Sequence, residues 1–174
     1  IYVAINEEHD YLSNYTQIIY DDTKLYTERW KEVLPQLKED TFLFLHEDMV
    51  LFDEVDFGYI QRYYNLVNSG KVDSIKLIYT NSTNPASDID NTLIPSAFSI
   101  QPTLINQKYF VSLLNSVPSL NIWNFEEEVQ SIGNHYMVKL GGEKQRGEYH
   151  CDSKVFPYIA TAINKGKWNM SEYK

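Results

Sequence analysis

The chain has 174 residues and a formal net charge of −9, with 43% hydrophobic and 22% charged residues. This length suits one folded domain, and the composition excludes a disordered or fibrous chain. With 15 basic residues against 24 acidic ones, a broad basic face for nucleic acid or an anionic membrane is excluded too. The acidic balance is compatible with a bound divalent cation, although solubility explains it equally well.

The sequence carries no sign of a membrane span or a leader. No apolar run reaches the roughly 18 residues of a membrane-spanning helix, and the opening run IYVAINEEHDYL lacks the basic and long apolar regions of a signal peptide. Because the chain opens inside a strand-like run, we expect a domain truncated at one or both ends. A single cysteine, Cys151, cannot form an internal disulfide, which favours a reducing, cytoplasmic compartment.

Strand and helix patterns alternate along the first half of the chain. We expect Asp22 or Thr23 to cap the first helix, and Ser69 with Gly70 to end the second. The order predicts an α/β fold with a mostly parallel central sheet flanked by helices, as a single domain over residues 1–174. Apolar runs predict strands at 1–5, 16–20, 41–45 and 74–79, and helical spacing predicts helices at 23–38 and 55–68.

The second half of the chain is less regular. A polar stretch at 80–91 predicts a loop or lid. The apolar segment 155–168 fits helix and strand equally well. The other expected elements are a strand-like segment at 97–105, a helix at 106–115, a helix from Asn124 to about Tyr136, and a polar loop from Gly141 to Asp152.

The run FLFLHEDMVLF at 42–52 is the most informative segment for function. His46, Glu47 and Asp48 interrupt an otherwise apolar run after a predicted strand, and ligands bind outside the carboxyl ends of strands in parallel α/β sheets. Carboxylates there typically hold Mg²⁺ or Mn²⁺ between two phosphates, because these hard cations prefer oxygen ligands. The alternative is that the two acids simply end a strand at the solvent.

This segment resembles the metal-binding strand end of GT-A-type nucleotide-sugar glycosyltransferases, in which an acidic D-x-D motif follows a buried apolar strand. The order of elements is similar to that family from residue 1 to about Glu128. The sequence departs from the family in reading His46-Glu47-Asp48 in place of D-x-D, and it is short for the family. Further matching segments are the strand end Tyr20-Asp21-Asp22, the acceptor-like segment 96–110 and the acid-rich helix start 123–128.

The resemblance implies a GT-A-like fold and the transfer of a sugar from a nucleotide-diphosphate donor. The acceptor would be a hydroxyl of a glycan, a lipid-linked sugar or a protein, and the cofactor would be Mn²⁺ or Mg²⁺. No nucleic-acid partner is expected. The implied roles are metal binding by Asp48, His46 and His150, donor binding by Asp21, Asp22 and Glu47, and general-base catalysis by one of Glu126, Glu127 and Glu128.

Ordinary explanations stand beside several of these roles. Asn124 is a good helix N-cap, and acids in a first helical turn stabilise a helix by roughly 0.3–1 kcal/mol each. Three consecutive acids cannot all face one site, and a base must lie within hydrogen-bond reach of the acceptor hydroxyl. His150 could equally be a surface residue.

Two other classes of function stay open. A non-catalytic α/β module, a degenerate relative that binds carbohydrate or a protein partner through its tyrosines, is favoured by the departure from D-x-D and the short chain. A metal-dependent phosphoesterase or nucleotidyltransferase would also use strand-end carboxylates. The motifs of P-loop NTPases, dinucleotide oxidoreductases and α/β-hydrolases do not occur in the sequence, which argues against those classes.

Overall fold

A computed structural model describes residues 1–46, 48–80, 84–146, 150–159, 162–164 and 167–170. For Glu143, Arg146, His150 and Asn164 the description covers the backbone alone. The chain divides into two compact units. The first unit contains Ile1–Asp40 and Gln107–Ile132, and the second contains Thr41–Asn106 and Gly133–Lys174.

The helices and strands of the described residues are short. The helices are α1 (Tyr26–Val33), α2 (Phe57–Asn68), α3 (Gln107–Ser116) and α4 (Ile122–Val129). The strands are β1 (Tyr2–Ile5), β2 (Thr16–Ile19), β3 (Thr41–Phe44), β4 (Val50–Leu51), β5 (Ser74–Lys76), β6 (Leu93–Ser96), β7 (Thr103–Asn106), β8 (His135–Val138), β9 (Gly141–Arg146), β10 (His150–Ser153), β11 (Tyr158–Ile159), β12 (Ile163–Asn164) and β13 (Lys167–Trp168). Within the described part of the chain, no helix is long and apolar enough to cross a membrane.

In the first unit, β1 and β2 form a parallel pair, which confirms the first two predicted strands. Helix α1 begins later than predicted, because its N-cap is Leu25 and not Asp22 or Thr23. The carboxylate of Glu28 accepts a hydrogen bond from the backbone N–H of Leu25 at 3.0 Å. Pro35 follows in a 3₁₀ turn and cannot continue the α-helical hydrogen bonds.

Aromatic side chains hold the three helices of the first unit together. Trp30 of α1 packs against Phe110 of α3 at 5.4 Å between ring centroids. Phe125 of α4 lies 6.2 Å from Phe110 and 5.9 Å from Tyr26 of α1. Trp30 itself is half-buried, whereas Phe110 and Phe125 are buried.

The second unit is built on a five-stranded sheet in the order β3-β7-β5-β8-β6. The expectation of a mostly parallel sheet is wrong. β7 lies antiparallel to both β3 and β5, β6 lies antiparallel to β8, and β5 with β8 is the parallel pair. The error arose because hydrophobic patterns locate strands but carry no information on their direction.

Three strands of this sheet, β3, β5 and β8, nevertheless run in one direction. β3 and β5 are both antiparallel to β7, and β8 is parallel to β5. Their carboxyl ends at Phe44, Lys76 and Val138 therefore lie at the same side of the sheet, which we call the carboxyl edge. β3 is one of the two edge strands of the sheet, yet Thr41 and Phe44 are buried.

The two faces of the sheet differ in chemistry. On one face, Ile75 and Leu104 pack with Tyr63 and Val67 of α2 in the hydrophobic core. Directly opposed residues of adjacent strands point to the same face of a sheet. On the other face, one residue from each of the five strands therefore forms a row that crosses the sheet beside the carboxyl edge. This row consists of Phe44, Thr103, Lys76, Met137 and Ile94, all of them buried.

Other sequence expectations change as well. The polar segment 141–152 forms the antiparallel hairpin β9–β10 and not a loop. The strand expected at 97–105 is confined to β7, and β6 precedes it. The segment 155–168 contributes short strands, of which β11 pairs with β4.

Gly141 should be sensitive to substitution. A Cβ atom at this position would overlap the ring of Tyr79. We expect Gly141→Ala to destabilise the protein by about 1–3 kcal/mol, as overpacking typically does, measured by urea denaturation. Gly142→Ala is the matched control, because its Cβ would lie 3.1 Å from the Cβ of Asp152 and needs only a small adjustment. Equal stabilities of the two variants would contradict the close packing of the Tyr79 ring against Gly141.

Candidate functional site

The residues predicted to carry function belong to both units. Asp21, Asp22 and the acids at 126–128 lie in the first unit, and His46, Asp48 and His150 lie in the second. Glu47 lies outside the described residues.

In the first unit, the carboxyl ends of β1 and β2 meet because the strands are parallel. The side-chain amide of Asn6, directly after β1, donates a hydrogen bond of 3.2 Å to the carboxylate of Asp22. Asp21 accepts bonds from the hydroxyl of Thr23 at 2.6 Å and from its backbone N–H at 2.9 Å. These bonds hold the pKa of Asp21 below its ordinary value of 3.8. Asp21 is therefore ionised at neutral pH and can only accept hydrogen bonds.

Arg29 supports the same strand end. Its guanidinium lies over the ring of Tyr20, 5.3 Å from the ring centroid. Its Nε donates to the backbone carbonyl of Lys24 at 2.7 Å, and its second nitrogen donates to the carbonyl of Asp22. The sequence reasoning assigned no role to Arg29 or to Asn6, because the pairing of β1 with β2 was needed to bring them to the acids.

The acids at 126–128 do not lie where the sequence suggested. The N-cap of α4 is Asn121, whose side chain accepts from the N–H of Asn124 at 3.0 Å. Helix α4 ends at Val129, so Glu126, Glu127 and Glu128 occupy its last turn and not its first. Carboxylates are unfavourable at that end of a helix, and the explanation of these acids as helix-stabilising is wrong.

The three acids also differ in environment. Glu126 is half-buried, whereas Glu127 and Glu128 are exposed. The pKa of the Tyr26 phenol is raised above its ordinary value, chiefly by burial. The hydrogen bond with Trp30 opposes this rise, and the negative charge of Glu126 adds to it. Glu126 therefore interacts with the packed interior of the first unit, and the other two carboxylates face the solvent.

In the second unit, His46 and Asp48 lie in the turn after β3, at the carboxyl edge. The ring of His46 packs edge-on against Phe44 at 4.9 Å between centroids. The carbonyl of Asp48 accepts a hydrogen bond of 2.9 Å from the N–H of Ala162. The backbone of this turn is thus joined to a segment from the end of the chain, which orders it.

Tyr158 of β11 connects the Asp48 turn to the start of β7. Its hydroxyl donates a 2.7 Å hydrogen bond to the side chain of Gln101, two residues before β7. Burial, and then the charge of Asp48, raise the pKa of Tyr158 well above its ordinary value. The phenol therefore stays neutral and can act as a hydrogen-bond donor beside the Asp48 carboxylate.

The structure describes the side chains of only some of the residues that were predicted to bind a metal ion. Among the residues that the structure describes, no three His, Cys, Asp or Glu side chains are grouped to hold a metal ion. His150 opens β10, and its side chain lies outside the description, as does Glu47. Asp48 and His46 supply one carboxylate and one imidazole. Of these two, the carboxylate suits Mg²⁺, which prefers oxygen ligands and typically takes one or two protein carboxylates with phosphate and water in its remaining positions, whereas imidazole is more typical of other metals.

A polar group that the sequence reasoning missed lies on the second face of the sheet. Ser74 and His135 are buried, and a 2.6 Å hydrogen bond joins Ser74 Oγ and His135 Nδ1. Lys76 and Thr103 are buried as directly opposed neighbours. The alternation of Ser74, Ile75 and Lys76 could have signalled a strand with one polar face, since side chains alternate between the faces of a sheet.

Comparisons with known proteins give little further information. No protein-family model matches the chain, and no curated protein matches it. The crystal structure of A197 from STIV is similar with a TM-score of 0.39 and 14% identity, over 94% of this chain and 93% of that chain. A likeness at this level supports no conclusion about fold or activity.

The turn at Asp21 gives a pH prediction. Because the folded pKa of Asp21 is depressed, its ionised form stabilises the protein above the ordinary pKa of 3.8, and this contribution is lost as pH falls through the folded pKa. Thr23→Val should raise the pKa of Asp21, measured by NMR titration of its carboxyl carbon. Thr16→Val is the control and should leave that pKa unchanged. Titration of wild-type Asp21 at or above 3.8 would contradict the hydrogen bonding described.

The position of the acids in α4 predicts the sign of a stability change. Glu127→Gln and Glu128→Gln should each raise the free energy of unfolding by about 0.3–1 kcal/mol, because each removes a negative charge from the carboxyl end of a helix. Chemical denaturation at low salt measures this change. Glu39→Gln is a matched control, since Glu39 is exposed and lies outside the helices. Destabilisation by both variants would show that these carboxylates have favourable partners.

Proposed function

We propose that the protein is a metal-assisted glycosyltransferase that moves a sugar from a nucleotide-diphosphate donor to a hydroxyl acceptor. The observation that carries the proposal is the position of Asp48 at the carboxyl edge, beside the neutral phenol of Tyr158. Although the sheet is mixed, β3, β5 and β8 run in one direction and bring their carboxyl ends to this edge. The acceptor is proposed as a glycan, a lipid-linked sugar or a protein, in a reducing, cytoplasmic compartment.

Asp48 and His46 are the proposed ligands of Mn²⁺ or Mg²⁺, with His150 as a third. The metal would offset the negative charge that develops on the leaving diphosphate. Asp48 is suited to this role because its backbone carbonyl accepts a hydrogen bond from the N–H of Ala162, which holds the turn that carries the carboxylate. Glu47 keeps its proposed role in donor binding.

Asp21 and Asp22 are the proposed contacts of the donor nucleoside. The low pKa of Asp21 supports this assignment, because an ionised carboxylate accepts hydrogen bonds from ribose hydroxyls or base N–H groups. Asn6 and Arg29 hold this strand end in place. One of Glu126, Glu127 and Glu128 is the proposed general base, and exposure favours Glu127 or Glu128.

The proposal can be tested by thermal shift with UDP, GDP, CMP, dTDP and ADP, each with and without Mn²⁺. A ligand at 100 times its dissociation constant stabilises the fold by roughly 2.7 kcal/mol. We expect one nucleotide to raise the thermal midpoint only with Mn²⁺, and Asp48→Asn to abolish the shift. Asp88→Asn is the control, because it removes the same charge from an exposed residue in another loop.

The other outcomes separate the competing functions. A shift by no nucleotide would contradict the proposal and favour a non-catalytic carbohydrate- or protein-binding module. A nucleotide-sugar that is hydrolysed to a phosphate ester, with no transfer of the sugar, would favour a phosphoesterase. Full turnover by Glu126→Gln, Glu127→Gln and Glu128→Gln would remove the general-base assignment.

A further inference from the structure

Two buried donors stand side by side where β5 and β7 meet the carboxyl edge. Lys76 is the last residue of β5 and Thr103 the first of β7, and they are direct partners in the sheet. Side chains so paired have Cβ atoms about 4.5–5.5 Å apart and point to the same face. Lys76 is 7% exposed and Thr103 is 2% exposed. A cationic and a neutral donor are thus held together on rigid strands.

The hydroxyl of Thr103 is an orphan. Among the described residues it has no hydrogen-bond partner, although its oxygen is buried. A buried hydroxyl without a partner costs about 1–3 kcal/mol, so this position needs an explanation such as an ordered water or ion or a ligand-binding role. Its neighbour Lys76 is a cation, which makes an anion a suitable occupant.

The neighbours of this pair connect it to the Asp48 turn. Thr103 is also the direct partner of Phe44 in β3, and the ring of Phe44 contacts His46. Gln101, which lies two residues before Thr103 in the chain, accepts the hydrogen bond from Tyr158. Thr103 is therefore adjacent in the sheet to the strand that leads into the Asp48 turn, and two residues away in the chain from the partner of Tyr158.

We propose that Lys76 and Thr103 form a phosphate-binding site that takes the diphosphate of the donor. The proposal deepens the proposed function, and rests on it for the identity of the molecule that carries the phosphates. Lys76 supplies the positive charge and Thr103 a hydrogen bond to a phosphate oxygen. Because both groups are buried, binding requires local opening of this face. Phe98, whose ring lies 5.5 Å from that of His135, covers part of the same face.

The decisive variant is Thr103→Val, which replaces the hydroxyl with a methyl group of similar size. Removal of an orphan hydroxyl should raise the thermal midpoint of the unliganded protein by about 2–4 °C. Loss of a hydrogen bond to a charged phosphate should weaken binding about tenfold or more. Titration calorimetry with inorganic pyrophosphate, inorganic phosphate and UDP, each with Mn²⁺, measures the binding.

Thr41→Val provides a matched control. The hydroxyl of Thr41 is likewise buried without a partner among the described residues. Thr41 is the first residue of β3, however, so it lies at the edge of the sheet opposite the carboxyl edge. We expect Thr41→Val to stabilise the protein in the same way and to leave binding of each anion unchanged. Lys76→Met should weaken pyrophosphate binding more than Thr103→Val does, and Thr103→Val remains decisive if Lys76→Met does not fold.

Each result has a definite meaning. If Thr103→Val stabilises the protein as Thr41→Val does and leaves anion binding unchanged, the hydroxyl is a packing defect and the inference is overturned. Binding of UDP by the wild-type protein would in that case still support the proposed function. If pyrophosphate binding depends on Thr103 but no nucleotide binds, the anion site stands and the glycosyltransferase proposal fails. Binding of no anion by the wild-type protein overturns the inference.

Discussion

The placement of β7 between β3 and β5 determines the arrangement of the second unit. Its backbone pairs with both neighbours, and antiparallel pairing to each of them makes β3 and β5 run in one direction. The turn after β3 and the end of β5 therefore meet at one edge, although β7 itself runs the other way. Thr103 comes to lie between Phe44 and Lys76 for the same reason.

The chemistry of the second sheet face is costly for folding. A buried ammonium group and a buried hydroxyl lose favourable contacts with water unless they gain partners. The opposite face shows what a sheet optimised for stability looks like, with Ile75 and Leu104 packed against α2. An apolar residue at position 103 would avoid the cost of the orphan hydroxyl, so a threonine at this position is better explained by ligand binding than by stability.

The sequence predicted where several elements lie but not how they pair. Apolar runs located β1, β2 and β5, and helical spacing located α2 and α3 to within a few residues. Strand direction depends on distant partners, so the antiparallel pairing of β7 with β3 and β5 could not be assigned and the sheet was predicted as mostly parallel. The predicted N-caps failed for a local reason: Asp21 is engaged with Thr23, and Asn121 precedes Asn124 as a competing cap. The predicted end of the second helix at Ser69 and Gly70 is confirmed. Asp48 was identified because acids interrupting an apolar run are visible in sequence, whereas Thr103 becomes notable only through its missing partner.

The charges at the carboxyl edge constrain what can bind there. Asp48 favours a cation and Lys76 favours an anion, while the neutral Tyr158 adds no charge of its own. Free pyrophosphate would be attracted by Lys76 and opposed by Asp48, and a bare metal ion would meet the reverse pattern. A diphosphate that carries its own divalent cation satisfies both groups, since the cation can lie at the carboxylate and the phosphate oxygens at the ammonium and hydroxyl. A metal–diphosphate complex is therefore the ligand that the two proposals together favour, with its cation at Asp48 and its phosphate oxygens at Lys76 and Thr103.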